Sequence, residues 1–188
     1  MTIRSFATSA SVITVCLIGA AQPGVSGEIT RDQTVPFMIA AAQNAAPDFT
    51  GISNWFNSAP LNMAKLRGKV VLVDFWTYGC VNCVNTLPYV TELYAKYKDR
   101  GLVVVGVHTP EFAFEKSASN VQAALKRHGI SYPVAQDNES QTWNAYGNQY
   151  WPAQYIIDQS GKIVFQHAGE GQYEQIDRTI ARLLNASS

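Results

Sequence analysis

Two of the three cysteines in this sequence, Cys80 and Cys83, are separated by only Val81 and Asn82. A dithiol at that spacing can open and close a disulfide within a single turn of helix. A thiolate attacks a foreign disulfide, and the second cysteine then attacks the mixed disulfide and releases the product. Two plainer uses compete. A structural bridge across so short a loop removes little chain entropy, and a structural zinc usually takes four Cys or His ligands. Placement between a strand and a helix favours the redox use.

Val70–Trp76 (VVLVDFW) is an apolar run of strand length, rich in β-branched and aromatic residues and interrupted only by Asp74. Such a run suits a strand buried on both faces, as in a parallel sheet. Gly79 then lets the backbone turn. From Cys83 onward, Leu87, Val90, Tyr94 and Tyr97 recur at spacings of four, three, four and three, which is one face of a helix. Cys80 therefore falls near the helix cap and Cys83 in its first turn. Unpaired N–H groups and the helix dipole make that end locally positive and favour a thiolate. Cysteines so placed have pKa values of roughly 3.5–7.5, against about 8.5 for a free thiol. Cys80 is expected to be the nucleophile and Cys83 the resolving thiol. Asp74 is a carboxylate in an otherwise apolar strand, costly unless it serves a purpose. Burial is expected to raise its pKa and to suit it to general-base work near neutrality.

The surrounding chain reads as alternating strands and helices. Arg100-Gly101 ends the first helix, residues 102–107 form a second buried strand, and strand–helix–strand favours a right-handed parallel crossover. His108, Thr109, Pro110 and Glu111 leave the carboxyl end of that strand, where sites gather in open α/β sheets, so Glu111 is a candidate for the rim of the cysteine site. Residues 119–128 read as a helix with Val121, Ala124, Leu125 and His128 on one side. Residues 130–135 suit a short strand and residues 139–146 a helical turn. Residues 155–158 and 162–165 form a hairpin through Gln159-Ser160-Gly161, with Trp151-Pro152 just before it. Residues 49–55 suit an edge strand, with Trp55 and Phe56 as core padding. Tyr173, Ile176, Ile180 and Leu183 mark a last helix over the sheet.

At the amino end, residues 1–9 carry one basic residue, Arg4, and residues 11–21 form an uncharged apolar run too short to span a bilayer comfortably. Small residues follow, with cleavage expected after Ala21 or Gly27. This is the layout of a secretory signal peptide over residues 1–27, followed by a linker or arm over 28–45 and one domain over 46–188. Cys16 lies within the apolar run after Val15, not after the small residue a lipoprotein site would need. Cleavage would leave the Cys80–Cys83 pair alone, cysteines kept for chemistry rather than for staples. It would also leave 13 of the 14 basic residues against 14 acidic ones, a charge near −1. Neither nucleic acid nor an anionic membrane surface is expected as a partner.

The segment VDFW, with CxxC three residues beyond it and Pro88 five residues past Cys83, resembles thioredoxin. It is similar in particular to the exported thioredoxin-like proteins of the TlpA and ResA type, and WTYGCVNCVNTLPYV looks most like the thioredoxin domain of DipZ-type membrane redox proteins. The likeness runs from about Ala46 to Leu184. It departs at Gly79, where thioredoxin has Trp, and at Val81-Asn82, where thioredoxin has Gly-Pro. Those changes leave the reaction class and bear on redox potential and partner choice.

The resemblance implies a thioredoxin-like α/β fold, a mixed central sheet flanked by helices on both faces. It implies that Asp74 accepts the proton of Cys83, that Pro152 is cis and faces the CxxC, and that Trp151 projects beside the cysteines as part of the substrate surface. The expected protein is periplasmic and needs no bound cofactor. It acts on disulfide-containing exported client proteins, with a separate membrane redox partner as electron donor. Two other readings are a metal-binding module using Cys80, Cys83 and His108 or His167, and a peroxide-consuming enzyme. The second has Thr77 three before Cys80 but lacks the usual flanking proline.

Overall fold

The computed structural model describes residues 45–186; the signal peptide and nearly all of the linker expected from the sequence lie outside them. Among the described residues, six strands form one mixed sheet: β1 (Asn54–Phe56), β2 (Val70–Trp76), β3 (Leu102–His108), β4 (Val134–Gln136), β5 (Ala153–Ile157) and β6 (Ile163–Ala168), in the order β1-β4-β3-β2-β5-β6. The helices are α1 (Val81–Tyr97), α2 (Ala118–Arg127), α3 (Gln141–Ala145) and α4 (Tyr173–Asn185). β2 runs parallel to β3, and β3 parallel to β4, while β5 lies antiparallel to β2 on its other side. Every residue of β2 is buried, including Asp74, as a central strand covered on both faces requires.

The pleat sorts β2 into two cores. Val70, Leu72 and Trp76 pack with Leu87 and Val90 of α1, Val121 and Leu125 of α2, and Ile176 and Ile180 of α4. Val71, Val73 and Phe75 pack with Met63, Leu66 and Trp143, the last from α3. Helices thus cover both faces unequally: three on one, and a single short one, helped by the 59–69 loop, on the other. Trp55 and Phe56 take up opposite faces and pad one core each.

Strand β1 is shorter than the sequence suggests. Gly51 sits at a left-handed φ of 66°, which breaks the extended run, and pairing begins only where Ser53 N–H reaches Gln136 O at 2.8 Å. The strands' register also fixes where the loops meet. His108 pairs with Trp76, and Ala153 with Phe75, so the segments after β2, after β3 and before β5 all emerge at one end of the sheet. Among the described residues, no helix is long and apolar enough to cross a membrane.

Candidate active site

Cys80 is the N-cap of α1, with an extended backbone, and its Sγ accepts the Cys83 N–H at 3.2 Å. The sulfur occupies the place a Ser or Asp oxygen takes at an ordinary cap. No acidic side chain lies in the first turn of α1 to neutralise the dipole there. Both cysteines are reduced; Cys80 is partly exposed and Cys83 wholly buried. The Cys83 thiol is pushed far above its ordinary range, first by burial and then by its hydrogen bond with Cys80, with a backbone group of Thr77 opposing. The pair is therefore asymmetric: one sulfur meets solvent at a helix N-terminus, and the other is held beneath it in apolar surroundings.

Asp74, 1% exposed, lies within electrostatic reach of Cys83. Its Oδ1 accepts Gln154 Nε2 at 3.1 Å, and its Oδ2 has no partner. Burial lifts its pKa to about 7, against the lesser pull of Gln154, and its charge acts on the Cys83 thiol. Gly106 and Gln154 flank Asp74 on β3 and β5. Trp76 Nε1 and the ring edge of Tyr132 approach the space where a β-carbon of Gly106 would lie, and neither Trp76 Nε1 nor the Tyr132 hydroxyl has a protein partner. The floor of the site is thus a small polar island in the larger core.

The Trp151–Pro152 bond is cis, and by the register of β5 it stands at the end of β2 from which Thr77 to Cys80 emerge. Trp151 is half-buried; its Nε1 donates to Thr109 O at 3.1 Å and its ring lies 4.1 Å from that of Trp143. Thr109 in turn donates to Asp137 at 3.3 Å, so the loops after β3 and before β5 are tied together. Glu111 is exposed on the first of these loops.

Sequence reasoning missed Glu115. This wholly buried residue accepts the Gly79 N–H at 2.9 Å on Oε1, and those of Glu111 and Phe112 at 2.7 and 2.9 Å on Oε2. Tyr78 lies across the same joint, donating its hydroxyl to Phe114 O at 2.9 Å and stacking on His108. The available signal was an acid set among aromatics in PEFAFEK, directly after a buried strand. His108 is buried with its pKa lowered to about 4 by desolvation, and its Nε2 lies 3.2 Å from Thr77 Oγ1. His167 Nε2 faces Glu170 O instead. Among the described residues, no three His, Cys, Asp or Glu side chains gather as a metal would need, so neither histidine completes a donor set with the cysteines.

The redoxin family matches residues 41–182. The chain belongs to this family. It is 49% identical over 143 residues to the protein DipZ of Mycobacterium tuberculosis, covering 74% of this chain and 21% of that protein. The match thus spans about a fifth of that relative's length. It is 30% identical to the thiol-disulfide oxidoreductase ResA of Bacillus thuringiensis, covering 65% of this chain and 68% of ResA. In three dimensions it is similar to the thioredoxin-like superfamily protein SPOA0173, with a TM-score of 0.70 and 29% identity over 75% of this chain and 96% of that one. The fold is thioredoxin-like, and the chain is a thiol–disulfide oxidoreductase by family.

Proposed function

We propose that this redoxin reduces disulfides of extracytoplasmic client proteins. The observation that carries the reading is the asymmetry of the pair: Cys80 is partly exposed at the helix N-terminus, and Cys83 is buried within electrostatic reach of an under-bonded carboxylate. The Cys80 thiolate attacks one sulfur of the client disulfide. A Cys80–client bond forms, the client S–S bond breaks, and the departing sulfur takes a proton. Asp74 then receives the Cys83 proton, and the Cys83 thiolate attacks Cys80 Sγ. The mixed disulfide breaks, the second client sulfur leaves, and the protein is left with a Cys80–Cys83 disulfide. Two electrons pass to the client, and a dithiol on a separate membrane redox partner returns them. Trp151, Pro152 and Glu111 form the substrate side of the groove.

Export rests on the signal-peptide layout of residues 1–27, with an arm over 28–45 and the catalytic domain over 46–188, and places the protein in the periplasm. The reducing direction rests on the acid at Asp74 and on the absence of a positively charged residue between the cysteines. A thiolate made too stable turns its disulfide into a strong oxidant, and Val81-Asn82 adds no such stabilisation. Equilibration with glutathione tests the direction. The expected potential lies nearer the reductant thioredoxin, about −270 mV, than the oxidase DsbA, about −120 mV. A value beside the oxidase, with rapid oxidation of a reduced unfolded client, would overturn it.

A further inference from the structure

We propose that Glu115 is a positioning residue for Cys80: its buried carboxylate clamps the backbone leading into the nucleophile to the loop that follows β3. Four bonds bear on where the Cys80 sulfur sits. Three are local, Cys80 N–H to Thr77 O at 3.4 Å, Val84 N–H to Cys80 O at 3.1 Å and Cys83 N–H to Cys80 Sγ at 3.2 Å. The fourth, Gly79 N–H to Glu115 Oε1 at 2.9 Å, comes from a residue 36 positions along the chain. That fourth bond, with Tyr78 Oη on Phe114 O at 2.9 Å, sets the cysteine turn relative to the rest of the site.

The clamp is built to hold. Oε2 takes the Glu111 and Phe112 N–H groups at 2.7 and 2.9 Å, so the carboxylate gathers three backbone donors from two separate segments. Bonds to an ionised acceptor are about twice as strong as neutral ones, and without Glu115 the donors would have to find other acceptors.

The clamp also accounts for the glycine. Gly79 is not in the left-handed region, so its backbone does not demand glycine. A β-carbon there would instead collide with Glu115 Oε1. The glycine is a matter of space, and residues 79 and 115 form one device. Against that device Phe112 and Phe114 stand 50% and 58% exposed, their rings stacked 5.6 Å apart, so the same carboxylate fixes an aromatic rim beside the nucleophile.

The inference rests on Cys80 as the nucleophile, and its test separates the two ideas. The full chain is compared with Glu115→Gln, Glu115→Asp, Gly79→Ala, the pair Gly79→Ala with Glu115→Asp, and Cys80→Ser. Two rates are measured at neutral pH: attack on glutathione disulfide, which needs an aligned approach, and alkylation by iodoacetamide, which needs only an accessible thiolate. Glu115→Gln and Gly79→Ala should each slow attack on the disulfide about tenfold while changing alkylation less than about twofold. The double variant should recover most of the loss, because a shorter carboxylate leaves room for the new methyl group. If both rates fall together, if neither changes, or if the double variant loses as much as Gly79→Ala and Glu115→Asp combined, the positioning role is overturned. Should Glu115→Gln fail to fold, Gly79→Ala and its rescue decide alone. Cys80→Ser retaining attack would instead overturn the nucleophile.

Discussion

Asp74 and Glu115 are two buried carboxylates of the same site in opposite surroundings. Asp74, on the floor, has one amide donor on one oxygen and none on the other. Glu115, on the wall, has three backbone donors shared over both oxygens. A carboxylate left short of donors in an apolar layer rises in pKa and becomes able to take a proton near neutral pH. One filled with backbone N–H groups fastens segments of chain together. Burial alone does not tell a proton acceptor from a clamp; the count of donors does. The same contrast separates the cysteines, with Cys83 on the floor and Cys80 carried by the wall.

Asp74→Asn should sharpen the contrast most. The folded protein holds Asp74 at about 7, against about 3.9 in an unfolded chain. Its contribution to stability is therefore full below about pH 4 and is lost as pH rises to about 7, on the order of 4 kcal/mol in all. His108 runs the other way. Burial holds it at about 4, against about 6.5 unfolded, so its contribution is present above pH 6.5 and is lost as pH falls to about 4. Between about pH 4 and 6.5 the two nearly cancel. The variant should be more stable at pH 8 by up to about 4 kcal/mol, and its urea midpoint should climb from about pH 4 to 6.5 as the His108 slope is uncovered. No gain at pH 8 would contradict the unsatisfied floor.

Glu115→Ala should act with the opposite sign. Three backbone donors lose their acceptor, at a cost of about 3 kcal/mol, read as a lower urea midpoint at pH 7. If this variant keeps full stability, the wall is not a clamp. The third expected effect is kinetic and smaller. Asp74→Asn should slow release of the mixed disulfide about tenfold, equivalent to about 1.4 kcal/mol, and leave its formation nearly unchanged. Equal slowing of the two steps in stopped-flow traces would reduce Asp74 to a structural part.

Much of the floor was legible in the sequence. The run VVLVDFW named the central strand, its lone acid stood out against six apolar neighbours, and the cysteine spacing at a strand–helix junction carried the chemistry. Pro152 and its cis bond followed from the resemblance to thioredoxin. The wall was not legible, for a physical reason. Glu115 bonds only to backbone N–H groups, so no partner side chain in the sequence points to it. It lies in a short turn whose alternating aromatics suggest neither strand nor helix. In the sequence Gly79 shows only a place where the backbone can turn, whereas space against Glu115 is what requires it. Such a constraint becomes visible only when two segments are brought together in space.

The most direct test of the whole account is the order in which the two cysteines react. The reduced protein is treated with a small amount of iodoacetamide at neutral pH, quenched over time, and the cysteine-bearing fragment is sequenced by mass spectrometry. Cys80 should be labelled first, with Cys83 protected until the chain is unfolded, because only Cys80 combines access with a helix N-terminus. Faster labelling of Cys83 in the folded protein would contradict it.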